Sequence, residues 1–310
     1  MIRAKLIVNP ESGPWDVRRE LPAVLNHLEE HDWRTTLHTT ERAGEATQLA
    51  QQARDDGLDA VFVVGGDGTI NEVVNGLAES SVALGVLPGG TSNIWAKELG
   101  LPTRSPRHLL PLVDAARALV PGSTRRIDLG KANSRYFLQW AGMGLEAEVT
   151  YAMEPRTRRM RRLGTLTYIV AGIATAANLV GTRARIWIDD ERIYRRSILI
   201  VISNSQLYGG KVRIATDARL DDGLLDVSVF AGTGFVSAIR TVLGVVTGLH
   251  VRDPRHSFYR GSVIRVEADK PMHIHVDGEP FDTTPLECAV VPRSLTVLVP
   301  KHTRPELFAD

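Results

Sequence analysis

Disulfide chemistry is closed to this chain, because its 310 residues contain one cysteine, Cys288. A single thiol can form no bridge within the chain and cannot build a cysteine-based zinc cluster, which suits a reducing compartment and makes the cytoplasm the expected location. An excess of one charge is missing too. Lys and Arg number 37 against 36 for Asp and Glu, so the broad phosphate neutralisation that drives nucleic-acid binding is absent, and nucleic acid is not an expected partner. Long apolar runs are absent as well. "MIRAKLIVNP" has no signal-peptide core and leads directly into a strand, and Leu166 to Gly181 ("LTYIVAGIATAANLVG") falls short of the ~20 residues a membrane span needs. It reads as a packed helix. Several familiar signatures are also missing: G-x-G-x-x-G after the first strand, G-x-x-x-x-G-K-[ST], H-E-x-x-H, G-x-S-x-G and a kinase H-R-D loop. There is no internal repeat or low-complexity tract.

What is present is a globular composition, 43% hydrophobic, in a chain long enough for two domains. The first hundred residues alternate strand and helix signals. Lys5 to Val8, Thr35 to Thr40, Val61 to Val64 and Val82 to Leu87 read as strands, and Ala46-Leu49-Ala50-Ala53 has helical spacing. Such alternation predicts an α/β domain with a parallel sheet. Three of the four strands run into turns of glycine and small residues: "NPESG", "GGDGT" and "PGGTSN". Parallel strands end on one sheet edge, so these turns converge where open α/β sheets bind ligands.

The stretch "AVFVVGGDGTINEVVNG", Ala60 to Gly76, carries the chemical question. Thr69-Ile70-Asn71-Glu72 fits a capping box at a helix start, which leaves Gly65, Gly66 and Gly68 around Asp67 unexplained. Glycines permit close backbone approach, and a helix N-terminus offers N–H groups to an anion. A carboxylate about 4 Å from a phosphate is repelled by roughly 4 kcal/mol at an effective dielectric near 20. Magnesium between the two removes that conflict and is usual in phosphoryl transfer.

Past Pro121-Gly122-Ser123 the pattern changes to short strands: "YFLQWAGMG", "RARIWIDD", "RSILIVISN", "LLDVSVFA", "SVIRVEA", "MHIHVDGEPF" and "LTVLVP". Helical stretches lie near Leu166 to Val180 and Gly234 to Gly248. The expectation is residues 1–125 as an α/β domain and residues 126–310 as a mostly β domain, the last strand returning to the first.

"NPESG", "GGDGTINEVVNG", "LPGGTSNIWAKELG", "DDGLLD" and "VDGEP" occur in the order found in the diacylglycerol-kinase catalytic family, and the chain resembles its soluble bacterial lipid-kinase branch over nearly its full length. GGDGT alone is shared with NAD kinases, whose later G-S-T-A-Y-type segment is missing here. The resemblance implies that the first domain binds a nucleotide and the second is a β-sandwich, in an ATP- and Mg2+-dependent kinase acting on a lipid hydroxyl, such as that of diacylglycerol or a sphingoid base. It implies nucleotide contacts from Asn9, Pro10, Glu11, Ser12 and Gly13, from Gly66, Asp67, Gly68, Thr69, Ile70, Asn71 and Glu72, and from Thr40 and Thr91. Asp67 would be central to catalysis through magnesium. Glu279 would be the base that deprotonates the acceptor hydroxyl, and a second, structural magnesium would be held by the Asp222 carboxylate with the carbonyls of Arg219 and Leu224.

Each of these residues also has a plain structural reading. Asn9-Pro10 is a turn, Thr40 ends a strand, Thr91 or Ser92 could cap a helix, and Asp277-Gly278 is a hairpin turn. The run "RTRRMRR", Arg156 to Arg162, is either a solvated face or a basic patch for peripheral contact with an anionic membrane. Two departures from the family pattern stand out: Pro14-Trp15 where many members carry Lys or Arg, and Ile94 where members usually carry Asp. Rival readings are a kinase of a soluble hydroxyl compound, NAD included, and a catalytically degenerate nucleotide-binding regulator. The acceptor and the oligomeric state, a homodimer included, are left open.

Overall fold

The computed structural model describes residues 1–152, 181–210 and 212–309. The chain divides into two compact units, one of Met1–Leu129 with Pro292–Glu306, the other of Gly130–Val291 with Leu307–Asp310. The expected helix at Leu166 to Val180 and the basic run Arg156 to Arg162 lie outside the described residues.

In the first unit, β1 (Ile2–Val8), β2 (Trp33–Thr39), β3 (Ala60–Gly65) and β4 (Ala83–Pro88) form a parallel sheet in the order β4-β3-β1-β2. β3 and β4 are buried along their whole length, as the interior strands of a sheet covered on both faces must be, and this is why Val61 to Val64 shows no alternation. The connections are α1 (Leu21–Glu30), α2 (Glu45–Asp55) and α3 (Asp67–Leu77), followed by α4 (Ile94–Glu98) and α5 (Pro111–Leu119). Each longer helix buries residues at helical spacing: Leu21, Val24 and Leu28 on α1, Ala46, Ala50 and Ala53 on α2, and Ile70, Val73, Val74 and Leu77 on α3. Thr296 and Val297 pair in parallel with Ala83 and Leu84 of β4.

The second unit is built mainly of antiparallel strands. β5 (Ser123–Ala132) contributes Gly130 to Ala132, which pair with β6 (Arg135–Phe137); β7 (Trp140–Gly144) and α6 (Leu145–Ala152) follow. Then come β8 (Thr182–Ile188), β9 (Glu191–Ser203), the short pair β10 (Leu207–Tyr208) and β11 (Val212–Arg213), and β12 (Leu225–Ala231). After α7 (Gly234–Thr247) the chain forms β13 (His256–Gly261), β14 (Val263–Ala268), β15 (His273–Val276), β16 (Glu279–Thr283) and β17 (Leu286–Val299). β16, β15, β7, β9, β8 and β14 are neighbours in that order, with β12 on β9 and β13 on β12. Inward residues of these strands, among them Met143, Ile200, Ile202, Val227, Val229, Ile264, Ile274 and Leu286, close into one apolar core. The architecture is the expected one, an α/β domain with a parallel sheet followed by a mostly β domain. Among the described residues, no helix is long and apolar enough to cross a membrane.

Candidate functional site

The three glycine turns of the first unit meet at the C-terminal edge of the parallel sheet, and the glycines are what lets them touch. A side chain at Gly13 would put its Cβ 2.2 Å from the carbonyl oxygen of Gly89, and one at Gly90 would lie 2.4 Å from the Cα of Gly66. The bareness of these turns therefore serves contact between loops first. Asn9 ties the first turn to the second: its N–H donates to the Val64 carbonyl at 2.9 Å, its side-chain amide donates to Thr69 Oγ1 at 2.9 Å, and its Oδ1 accepts from the Glu11 N–H of its own turn at 3.0 Å. Ser12 Oγ donates back to the Asn9 carbonyl at 2.9 Å. Pro10, Ser12 and Gly13 are half-buried and Glu11 is exposed.

The capping-box reading of Thr69 and Glu72 is corrected here. α3 begins at Asp67, with Gly66 as its N-cap in extended backbone (φ −92°, ψ 179°), so Thr69 lies already inside the first turn. Its hydroxyl serves Asn9, while the Glu72 carboxylate accepts from the Ala46 N–H at the start of α2 at 3.2 Å. Ile70 faces the core, 1% exposed, and Asn71 is equally buried, accepting from Asn75. What Gly66 to Thr69 present is main chain. Gly66 has no side chain with which to cap the helix, and an 11-residue helix concentrates positive potential there.

Asp67 and Gly68 at this helix start are half-buried, and the Asp67 carboxylate reaches across to α4. Its Oδ1 accepts from the N–H groups of Ile94 at 2.8 Å and Trp95 at 3.3 Å. Neither Thr91 nor Ser92 caps α4. Its N-cap is Asn93, in left-handed backbone (φ 49°), whose side chain instead closes the turn on the N–H and carbonyl of Gly90, each at 2.8 Å. Burial pushes the Asp67 pKa up, against the two N–H donors and the charge of Lys97, which pull it down. A half-buried carboxylate raised in this way is one that a cation would stabilise. Thr91 is exposed beside this turn, and Thr40 is buried, its N–H and hydroxyl donating to the Val8 carbonyl at 2.8 and 3.4 Å.

A residue that no sequence motif singles out lies beside the first turn. The Arg104 guanidinium stacks over the ring of Trp15, 4.5 Å from its centroid. Trp15, part of the departure from the family pattern noted above, thus holds an arginine from elsewhere in the chain.

In the second unit Asp277 and Gly278 form the hairpin turn between β15 and β16, both with positive φ (47° and 79°), and Val276 pairs with Glu279. Glu279, the first residue after the turn, is ion-paired with Arg135 of β6. Asp277 does more than turn the chain. It is 5% exposed, and its carboxylate accepts three main-chain N–H groups, from Leu138 at 2.9 Å, Gln139 at 2.9 Å and Trp140 at 3.0 Å. This clamps the β6–β7 connection to the hairpin that carries Glu279. Behind it, His275 is fully buried with Nε2 2.8 Å from Glu146, in space that Gly142 leaves open. Asp277→Ala is expected to destabilise the protein by about 3 kcal/mol or more, because three N–H groups lose their acceptor; chemical denaturation of the purified variant measures it.

In the loop before β12, the Asp222 carboxylate accepts from the Leu224 N–H at 3.1 Å and pairs with Arg260, whose Nε is also 3.2 Å from Asp226. Asp226 is 1% exposed, and burial raises its pKa to about 7, with Asp222 and Asp217 adding to the rise and Arg260 opposing it. Two carboxylates, Asp222 and Asp226, thus share one guanidinium, with Asp217 adding to the local negative charge, and hard oxygen donors of this kind are what magnesium takes. No hydrogen bond of Arg219 bears on this.

Comparison with known proteins places these features in a family. Residues 3–132 match the diacylglycerol kinase catalytic domain, and residues 140–299 match the YegS C-terminal NAD kinase beta sandwich-like domain. The chain is 32% identical to a diacylglycerol kinase of Bacillus subtilis (strain 168) over 309 residues, 99% of each chain. It is 30% identical to that of Staphylococcus saprophyticus over 279 residues, covering 89% of this chain and 88% of the relative. Among solved structures, a Bacillus anthracis str. Sterne protein provisionally described as a diacylglycerol kinase superposes with a TM-score of 0.83 at 25% identity, covering 97% of this chain and 96% of the other.

Proposed function

The chain belongs to the diacylglycerol kinase family, its relatives are kinases, and from that premise we propose that it transfers the γ-phosphoryl group of ATP, with magnesium, to a hydroxyl of a lipid such as diacylglycerol, a sphingoid base or a related glycerolipid. The observation that carries the reading is the glycine-capped start of α3 with the half-buried Asp67 carboxylate beside it. In this reading Asn9 to Gly13 and the main chain of Gly66 to Thr69 cradle the phosphates, with Thr40 and Thr91 adding nucleotide contacts, while Ile70, Asn71 and Glu72, turned to the core and to α2, support that loop from behind. Arg104, stacked on Trp15, supplies the positive charge that relatives place after the first turn. Magnesium, when bound at Asp67, supplies the positive charge that lets phosphate oxygens approach a carboxylate. Glu279 accepts the proton of the acceptor hydroxyl. A second ion is assigned to Asp222 with the carbonyls of Arg219 and Leu224, in a structural role.

A lipid acceptor requires access to a membrane surface. α7 and the turn that follows expose Phe235, Val236, Leu243, Val246, Leu249 and Val251. Arg240, Arg252 and Arg255 are exposed along the same stretch, where Asp253 is the acidic residue and pairs with Arg240. Apolar side chains with a basic margin suit an anionic bilayer. Val236→Asp with Leu243→Asp is therefore expected to weaken binding to phosphatidylglycerol vesicles by at least about tenfold, as read by vesicle sedimentation. Unchanged sedimentation, with a change of oligomeric state instead, would assign the patch to a second copy of the chain.

The function itself is tested by incubating purified protein with labelled ATP and magnesium against extracted lipids and against NAD. Labelled lipid supports the proposal. Labelled NAD alone would favour the soluble-acceptor reading, and ATP binding with no transfer to any acceptor would favour a regulator.

A further inference from the structure

A group of side chains at the end of α1 plays no part in phosphoryl transfer as proposed above. The segment His27-Leu-Glu-Glu-His31 places His27, Glu30 and His31 at i, i+3 and i+4, one face of a helix. One ligand atom from each lies within 4.8 Å of the others, and the imidazole centroids are 4.3 Å apart. Four-coordinate zinc, with bonds near 2.0–2.1 Å, needs its ligand atoms about 3.3 Å apart. Glu30 is exposed, and its carboxylate is the ligand with room to turn toward the imidazoles when a metal draws the group together.

Two further observations single the group out from an ordinary surface pair. His31 Nδ1 lies 2.8 Å from the His27 carbonyl oxygen, and since a carbonyl only accepts, the proton is on Nδ1 and the Nε2 lone pair is presented outward. Metal-bound imidazoles are usually oriented by such a bond from the second ring nitrogen. His27 Nε2 is buried and has no hydrogen-bond partner, the state of a ring nitrogen waiting for one. The His27 pKa is lowered, by burial first and then by the charges of His31 and Arg117, with Glu30 opposing. The group also closes α1, whose last turn contains His27 and whose C-cap is His31. The negative end of the helix dipole favours a cation there. Arg117 of α5 works against a cation, but Asp114 lies 3.8 Å from it and offsets part of its charge.

We propose that His27, Glu30 and His31 form a binding site for a divalent transition-metal ion of the zinc class, two imidazole nitrogens and one carboxylate with water completing the shell. The site is independent of the kinase reading. Nitrogen donors exclude magnesium as its occupant and favour zinc, nickel or copper.

The test is calorimetric titration of EDTA-stripped, full-length protein with zinc chloride in excess magnesium chloride, so that oxygen-only sites are filled. One equivalent of zinc is expected at the site. His27→Ala and His31→Gln are each expected to weaken that equivalent by at least about tenfold, and Glu30→Gln by a smaller factor. His302→Ala, a histidine elsewhere in the chain, is expected to change nothing. Zinc is also expected to raise the melting temperature of the wild type and not that of the His27→Ala, His31→Gln double variant. Melting without metal establishes that the variants are folded. Uptake of zinc unchanged in both histidine variants, or no uptake by the wild type, overturns the proposal.

Discussion

Asp67→Asn is expected to lower the turnover number by about 10³-fold, the scale on which a preorganised charge in a reaction site is felt, while leaving the fold intact. The fold argument comes from hydrogen bonding. Asparagine keeps the Oδ1 that accepts from Ile94 and Trp95, so the start of α4 remains held. Stability gives a separate readout. Burial raises the Asp67 pKa in the folded protein. Stability that is fully present below the unfolded-state value is therefore lost as pH rises through the folded one, and at neutral pH the ionised carboxylate is a net cost. Asparagine stays neutral and escapes that loss. The metal-free variant should melt at the same temperature as the wild type or higher at pH 7, and lower its lead as the pH falls. The stabilisation that ATP with magnesium gives the wild type should shrink in the variant. Loss of rate with a preserved or raised melting temperature assigns Asp67 to chemistry. Near wild-type turnover would reduce it to a residue that caps α4.

The reach of Asp67 to α4 also shows what a sequence can and cannot disclose. β3 and β4 are legible because burial on both faces leaves continuous apolar runs, whereas the edge strand β2 is mostly exposed and shows itself by its β-branched residues, with its ends displaced: the expectation is Thr35 to Thr40 where β2 runs Trp33–Thr39. β5 was not legible. Its first residues, Ser123 to Arg126, are polar and exposed, so they carry no alternation. The convergence of the glycine turns followed from parallel topology, whereas their direct contact, Gly13 on Gly89 and Gly66 on Gly90, is a tertiary fact with no local signature. Thr69 and Glu72 matched a local motif and were misread for the same reason: Gly66 starts the helix earlier, and the partners of both side chains come from Asn9 and α2. Asp277 was legible as a turn residue, since asparagine and aspartate tolerate positive φ. That its carboxylate would clamp Leu138 to Trp140, well over a hundred residues earlier, was not. Arg135 and Arg104 escaped notice because an isolated arginine acquires meaning only through its partner.

Glu279→Gln is expected to lower turnover by about 10² to 10⁴-fold, the range over which a positioned base acts, with little change in the KM for ATP. The substitution is close to isosteric, and the glutamine oxygen can still accept from Arg135, which pairs with Glu279 in the native protein. Asp277 continues to hold the hairpin through Leu138, Gln139 and Trp140, so the melting temperature should fall little. Arg135→Met makes the complementary test. It removes the positioning partner and leaves the carboxylate, so it should reduce the rate less than Glu279→Gln does, and the double variant should be no slower than Glu279→Gln alone, because positioning has no value once the base is gone. Steady-state rates for the wild type, the two single variants and the double variant complete the cycle. Additive losses would mean that Arg135 and Glu279 act separately, and a Glu279→Gln enzyme of near wild-type rate would remove this carboxylate from the mechanism.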